Sequence, residues 1–329
     1  MANEIEKFNA LALADIEKIN GKTDSDIEGI NGLEYTGATL LKGIFGFGAN
    51  DGGNVGMSNL VNNVGVIASD TSAVGTARGK IAASEYGTGT AIFGFGDSDS
   101  GRTGITNLVN TSGVIASDVS AVGTATEGRA AANYGTDKAI FAFGDTGSLT
   151  SSKNLVNNSG VVASDATGVG TVRTQLCATE YGTDTAIFAL GYRGSSPYYL
   201  GMSNLVSNSG VVATDVTAVA TGRYYPAAVK YSTDKGILLA GTAASTDGYN
   251  TNKVSNSGVV ASDVGGVGTN RYGMGACEYG NGKGIQAYGH SGVANQSVSN
   301  LISDSGVVAS DTSGVGTARH RLAAANYGT

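Results

Sequence analysis

An aspartate followed eight residues later by an arginine is the charge pairing that this chain repeats: Asp70 and Arg78, Asp165 and Arg173, Asp215 and Arg223, Asp263 and Arg271, Asp311 and Arg319. After Asp118 the equivalent position holds Thr126. Arginine grips carboxylates through two parallel hydrogen bonds, so several of them around one axis would hold an anionic ligand. The plainer reading is a turn-forming Asp and an Arg that braces adjacent units, copied because the unit is copied. A catalytic centre seldom needs five copies of one residue, and these pairs are read as structural.

The other reactive types are sparse. The two histidines, His290 and His320, fall in different parts of the repeat, without the partners of a metal centre or a catalytic triad. Residues 97–101, Asp-Ser-Asp-Ser-Gly, look like the start of a calcium loop, yet the twelfth position, where a bidentate Glu belongs, is Leu108. Cys177 and Cys277 stand four and two residues before a recurring Tyr, at small-residue positions that suit buried packing better than nucleophilic chemistry. No acid pair of the kind used in glycan hydrolysis stands out from the repeated background. The expectation is no catalytic residue, no metal and no cofactor.

The repeat itself dictates the architecture. Gly-Val-(Ile/Val)-Ala-(Ser/Thr)-Asp occurs six times, ending at Asp70, Asp118, Asp165, Asp215, Asp263 and Asp311, with spacings of 48, 47, 50, 48 and 48. A tyrosine follows each Asp by 16 residues: Tyr86, Tyr134, Tyr181, Tyr231, Tyr279 and Tyr327. Each unit reads as four short strands. In the first unit they are an Ile-Phe strand at 42–48, an Asn-Leu-Val strand at 59–62, a Val-Ile-Ala strand at 66–69 and a small-residue strand at 78–86. Gly and Ala within the Ile-Phe strand let neighbouring sheets approach. The residue three before each Tyr is always alanine, which suggests a position squeezed between packed sheets. Four strands in about 48 residues match a propeller blade and exceed one coil of a β-helix. The array opens on an Ile-Phe strand and stops at Tyr327-Gly328-Thr329, just before the next would begin. Pairing the last strand with Ile44-Phe45 closes a six-bladed ring over residues 41–329 and removes two exposed edges. The expected fold is therefore all-β: a six-bladed β-propeller with a short N-terminal helical or extended arm, residues 1–40.

Composition agrees with a packed core. The chain has 52 Gly and 41% hydrophobic residues, against roughly 23 Gly at the ordinary level of about 7%. Twenty Lys+Arg against 27 Asp+Glu leave a formal charge of -7, so a nucleic-acid partner is not expected. No apolar run approaches membrane-spanning length and no export signal is visible, so membrane insertion is not expected either. Two cysteines fit synthesis in a reducing cytoplasm.

Two regions depart from the repeat. In the arm, Ile5, Phe8, Leu11 and Ile16 can line one helical face that Gly21 ends, and Ile19, Ile27 and Ile30 add apolar anchors within two Asp-Ile-Glu segments. Between the Ile-Phe and Asn-Leu-Val strands the six connections, 49–58, 97–106, 145–153, 192–203, 242–253 and 290–299, differ in length and chemistry. In a propeller they emerge on one face and make it asymmetric. The fourth is richest, with Tyr192, Arg193, Pro197, Tyr198 and Tyr199, types favoured in binding hot spots.

The run from Val74 through Arg78 to Tyr86, followed by Thr90-Ala-Ile-Phe-Gly-Phe-Gly96, resembles a kelch-type propeller repeat, with one glycine in place of the double glycine and no tryptophan. The arm joined to Ile-Phe-Gly-Phe-Gly repeats resembles virion proteins of tailed bacteriophages, particularly cyanophages and other marine phages. That resemblance implies a non-enzymatic structural or tail-associated virion protein, made in the host cytoplasm. Its arm would attach to other phage virion proteins, and its loops would be presented to a host-surface glycan or protein. The alternative is a purely architectural part such as a capsid decoration, connector or baseplate component.

Overall fold

The computed structural model describes residues 41–328, apart from 218 and 244–248, together with the backbone of six short strands within residues 1–40. All described regular structure is β, and the chain divides into two compact units, 41–328 and a smaller one comprising 1–40 and Thr329.

The smaller unit corrects the helical expectation. Lys7–Phe8 pairs with Leu11–Ala12, Lys18–Ile19 with Lys22–Thr23, and Gly29–Ile30 with Leu33–Glu34, all antiparallel. Phe8 thus stands opposite Leu11, so these two residues do not share a helical face. Between the paired strands the sequence reads Asn9-Ala10, Asn20-Gly21 and Asn31-Gly32. Asn-Gly is the strongest two-residue hairpin signal, and an eleven-residue hairpin repeat accounts for the spacing better than a helix stopped by Gly21. Ile19 and Ile30 are strand residues, whereas Ile5, Ile16 and Ile27 lie outside the described residues.

The larger unit contains six equivalent antiparallel sheets. In each, an inner strand pairs with a middle strand and the middle with an outer one, as in Ala82–Tyr86, Thr90–Gly94 and Thr106–Val109. The next four inner strands are Ala130–Tyr134, Cys177–Tyr181, Ala227–Tyr231 and Gly275–Tyr279. The sixth sheet is composite: Ala323–Tyr327 supplies the inner strand, while Lys42–Gly46 and Ser58–Val61 supply the middle and outer ones. Ala324 stands opposite Phe45 and Ala325 opposite Ile44, so the last strand pairs with the Ile44-Phe45 strand as expected from the phase of the repeat. Each inner strand packs against the inner strand of the next sheet, and the sixth packs against the first.

Two rings of backbone hydrogen bonds fasten this cycle. Lys80 N–H donates to the Arg321 carbonyl, Gly128 to Lys80, Gln175 to Gly128, Tyr225 to Gln175, Gly273 to Tyr225 and Arg321 to Gly273, at 2.7–2.9 Å. All six residues have positive φ, from 50° to 65°, which turns each peptide along the ring. At the far ends of the inner strands the turns form a second ring, Gly87 to Asp137, Gly135 to Asp184, Gly182 to Asp234, Ser232 to Gly282, Gly280 to Leu41 and Gly328 to Gly89.

Between each pair of successive sheets lies one apolar cluster, for example Phe47 and Phe93 in one and Phe95 and Phe141 in the next. The rings of these two pairs meet at 5.3 and 5.1 Å. The small residues of the middle strand make this possible: a Cβ on Gly94 would stand 2.9 Å from the Phe141 ring.

Two local expectations change. The Val-Ile-Ala segment is not a regular strand; it touches the outer strand through isolated bridges such as Val61 to Ile67 and Ser58 to Thr71. The repeated alanines, Ala83, Ala131, Ala178, Ala228, Ala276 and Ala324, line the axial space where the six inner strands converge, which leaves only about 60 Å³. Alanine is required there because six Cβ atoms share one axis.

Candidate functional site

The repeated Asp and Arg residues are not partners within their own unit. Arg78 donates from Nη2 to Asn107 Oδ1 at 2.6 Å and from Nε to the Phe95 carbonyl at 2.9 Å. Asn107 passes a hydrogen bond to Asp118 Oδ1 at 2.9 Å, and Asp118 also accepts the Thr76 hydroxyl and N–H. Each Asp thus ties the preceding unit to its own, and Asp70, accepting from Thr317 and lying 4.0 Å from Arg319, joins the last unit to the first. Partial burial works against the charged carboxyl. The Thr hydroxyl, the Asn amide and the Thr N–H outweigh it, so all six Asp sit below the usual carboxylate range. Arg78, Arg173, Arg223 and Arg319 are fully buried and Arg271 nearly so, which excludes them from gripping an external anion. Burial lowers Arg78 and Arg173 to about 10, which leaves them charged at neutral pH.

The second unit, with Thr126 in the arginine position, keeps the brace by another route. Arg129 enters from three residues further on, donates to Asn154 at 2.7 Å and stacks 4.2 Å from the Phe95 ring. Neither Arg129 nor the relaying asparagines, Asn59, Asn107, Asn154, Asn204, Asn252 and Asn300, were singled out in the sequence. Their signal was present: an Asn recurs at the same position of all six units.

A second cluster was also missed. The residue before each recurring Tyr reads Glu85, Asn133, Glu180, Lys230, Glu278 and Asn326, and these side chains line the axial opening at the turn end of the inner strands. Lys230 pairs with Glu180 at 3.0 Å, Asn133 donates to Glu180 and Asn326 to Glu85. A cavity of about 470 Å³ lies over them. Burial pushes Glu85 and Glu278 up to about 7; the neighbouring carboxylates add to this, and Lys230 opposes it. A carboxyl raised in the folded chain destabilises it when ionised. Thermal stability should therefore rise as pH falls from 8 through 7, the gain being complete below the ordinary value of 4.5. His320, lowered to about 4, acts oppositely between 6.5 and 4. Glu85→Gln with Glu278→Gln isolates the effect: its melting temperature should exceed that of the parent at pH 8, with the rise toward pH 5 abolished. Equal pH dependence in parent and variant would refute the assignment.

The opposite end carries the variable connections, and there the chemistry is divided. On one side Lys80 meets Glu127 at 2.9 Å, and Arg102 meets Glu127 and Asp145 at 3.6 and 3.3 Å. On the other side the rings form a continuous series. Tyr198 stacks on Tyr192 at 6.2 Å, Tyr192 meets Tyr224 at 5.7 Å, Tyr224 meets Tyr225 at 5.2 Å, and Tyr225 stacks on Tyr272 at 6.1 Å. His290 and His320 continue it at 5.4 Å each, and Tyr199 stacks on Tyr224 at 5.3 Å. The structure thus joins the sequence-predicted Tyr192, Tyr198 and Tyr199 to Tyr224 and Tyr225 of the same unit and to rings of the next two units. Tyr198 is 51% exposed, and Tyr192, Tyr199, Tyr224 and Tyr272 are half-buried. Arg193 donates to the Ser196 carbonyl and holds this loop. The missed members share repeat positions: Tyr224, Tyr272 and His320 directly follow a bracing Arg, where other units have Gly79, Glu127 and Thr174.

Cys177 and Cys277 are buried free thiols, on inner strands separated by Ala227–Tyr231. Among the described residues no group of three or more His, Cys, Asp or Glu is arranged to hold a metal ion, and no helix is long and apolar enough to cross a membrane. No protein-family model matches the chain, and no curated protein matches its sequence.

Proposed function

We propose that the closed set of six sheets is a six-bladed, kelch-like β-propeller. The chain would be a non-enzymatic, tail-associated virion protein of a tailed bacteriophage that presents its aromatic face to a host-surface glycan or protein. The observation that carries this reading is the ring series. Among the described residues, a frame repeated six times carries this loop-face ring series in the fourth to sixth units alone, where it serves no repeated packing role. Tyrosines offer large amphipathic area at small entropic cost, which suits recognition. The hairpins of residues 1–40 would attach the chain to other virion proteins.

Tyr198→Ala with Tyr199→Ala tests the reading. Other units manage without these residues, so folding should be retained, while adsorption of assembled phage should fall about tenfold, the equivalent of ~1.4 kcal/mol. Undiminished adsorption by correctly assembled particles would favour the architectural alternative. That alternative has an observation of its own: Val66, Val114, Val161, Val211, Val259 and Val307 occupy one repeat position and are all 59–65% exposed, a regular set of lateral contacts for other virion proteins.

A further inference from the structure

The loop face gathers unpaired polar atoms as well as rings. Among the described residues, seven buried side-chain nitrogen or oxygen atoms lack a partner, and four of them are here: Arg193 Nε, Arg321 Nε, His320 Nδ1 and Asn295 Oδ1. An unmet buried group costs about 1–3 kcal/mol, so such a concentration beside a ring series has the character of a ligand site.

Arg321 is the telling member. Its backbone belongs to the axial hydrogen-bond ring, and its guanidinium lies 5.5 Å from the Tyr225 ring. The neighbouring cations are saturated, since Lys80 and Arg102 share Glu127, and Asp97 and Asp145 lie beside them. Arg321 has no carboxylate within 4.0 Å among the described residues, in a chain whose net charge is -7. A half-buried guanidinium against a tyrosine face, with unmet donors and no acid, is complementary to an anion that also has flat apolar surfaces.

We propose that this face binds an acidic oligosaccharide, with sugar rings stacked along Tyr198, Tyr192, Tyr224 and Tyr272 and a sugar carboxylate held by Arg321. The inference rests on the receptor reading above and names its ligand class. Arg193 Nε and the neutral His320 ring supply hydrogen bonds to hydroxyls. Single-stranded nucleic acid, the other polyanion that stacks on aromatics, needs a basic track along its backbone. Here Arg193 and Arg321 share the face with Asp51, while Lys80 and Arg102 are already paired with Asp97, Asp145 and Glu127.

Repeat equivalence supplies variants that the fold accepts. Gln175 occupies the Arg321 position with the same φ of 56°, and Thr174 occupies that of Tyr224 and Tyr272. The full chain is titrated with oligogalacturonate, oligomannuronate and oligosialate hexamers, their methyl esters, maltohexaose and single-stranded oligonucleotides. At least one acidic series should bind about tenfold more tightly than its ester. Arg321→Gln should abolish that difference, and Tyr224→Thr with Tyr272→Thr should abolish binding of both forms.

His320 provides an independent readout. It faces Arg321, His290, Asp51 and the Ala49 backbone, and burial together with Arg321 and His290 lowers it to about 4. Its NMR titration should move upward when the acidic hexamer binds and stay in place with the ester. Binding of none of these sugars, equal binding of acid and ester, a preference that survives Arg321→Gln, or tighter binding of the oligonucleotides would each overturn the proposal. If the acidic sugars bind as described while Tyr198→Ala with Tyr199→Ala leaves adsorption unchanged, the site stands and the receptor reading falls. If adsorption drops but the ester binds as well as the acid, the reverse holds.

Discussion

Removal of residues 317–329 is expected to leave a chain that aggregates instead of folding. The deletion takes away the inner strand of the sixth sheet, so one edge of Lys42–Gly46 loses every partner from Ala323–Tyr327. It also removes the Thr317 and Arg319 donors from Asp70 and Asn59 and breaks the axial ring at Arg321. The exposed edge includes Ile44 and Phe45, both fully buried in the intact protein, and an apolar unpaired strand is a template for intermolecular pairing. The full chain should elute as a discrete species and melt cooperatively, whereas the truncated chain should be recovered in the insoluble fraction. Truncated protein that is soluble and melts at the parental temperature would contradict cyclic closure.

Arg173→Ala should be among the most damaging single changes. The guanidinium donates to the Leu190 carbonyl at 2.9 Å, the Thr171 carbonyl at 3.1 Å and Asn204 Oδ1 at 2.7 Å, and lies 4.0 Å from the Phe143 ring. Alanine leaves those acceptors buried and opens a void, as when one partner of a buried charged network is removed, a loss of about 3–5 kcal/mol. Lysine restores a charge but not the three-way fork, so Arg173→Lys should recover only part. Urea unfolding at neutral pH measures both. A loss below about 1 kcal/mol, the scale of an exposed ion pair, would show that the brace contributes little.

The repeat made the all-β architecture legible because a fixed period of apolar and small residues constrains every unit at once. The pairing of the last strand with the Ile44-Phe45 strand followed from the phase of the pattern, whereas its register, Ala324 against Phe45, came from the structure. The arm was misread because Ile5, Phe8, Leu11 and Ile16 fit a helical stripe, while the competing signal, Asn-Gly between short paired segments, is local and easily taken for a helix stop. The bracing Arg residues were recognised, but their direction was not: Asp118 lies 40 residues beyond Arg78, and only folding brings them together. The aromatic face was visible in part. Tyr192, Tyr198 and Tyr199 are close in sequence, whereas Tyr224, Tyr272 and His320 belong to successive units and become neighbours only through the closed array. The axial glutamates escaped notice because each stands alone on an otherwise small-residue strand, and their significance comes from convergence on one axis.

The central functional claim is that this chain presents its aromatic face outward from a phage tail. Cryo-electron microscopy of intact particles, with the closed 41–328 array located in the density, tests it most directly. The claim predicts the array at a distal tail position, with the loops bearing Tyr192, Tyr198 and Tyr199 turned away from the particle. An array built into the shell or connector, with those tyrosines buried against another virion protein, would contradict it.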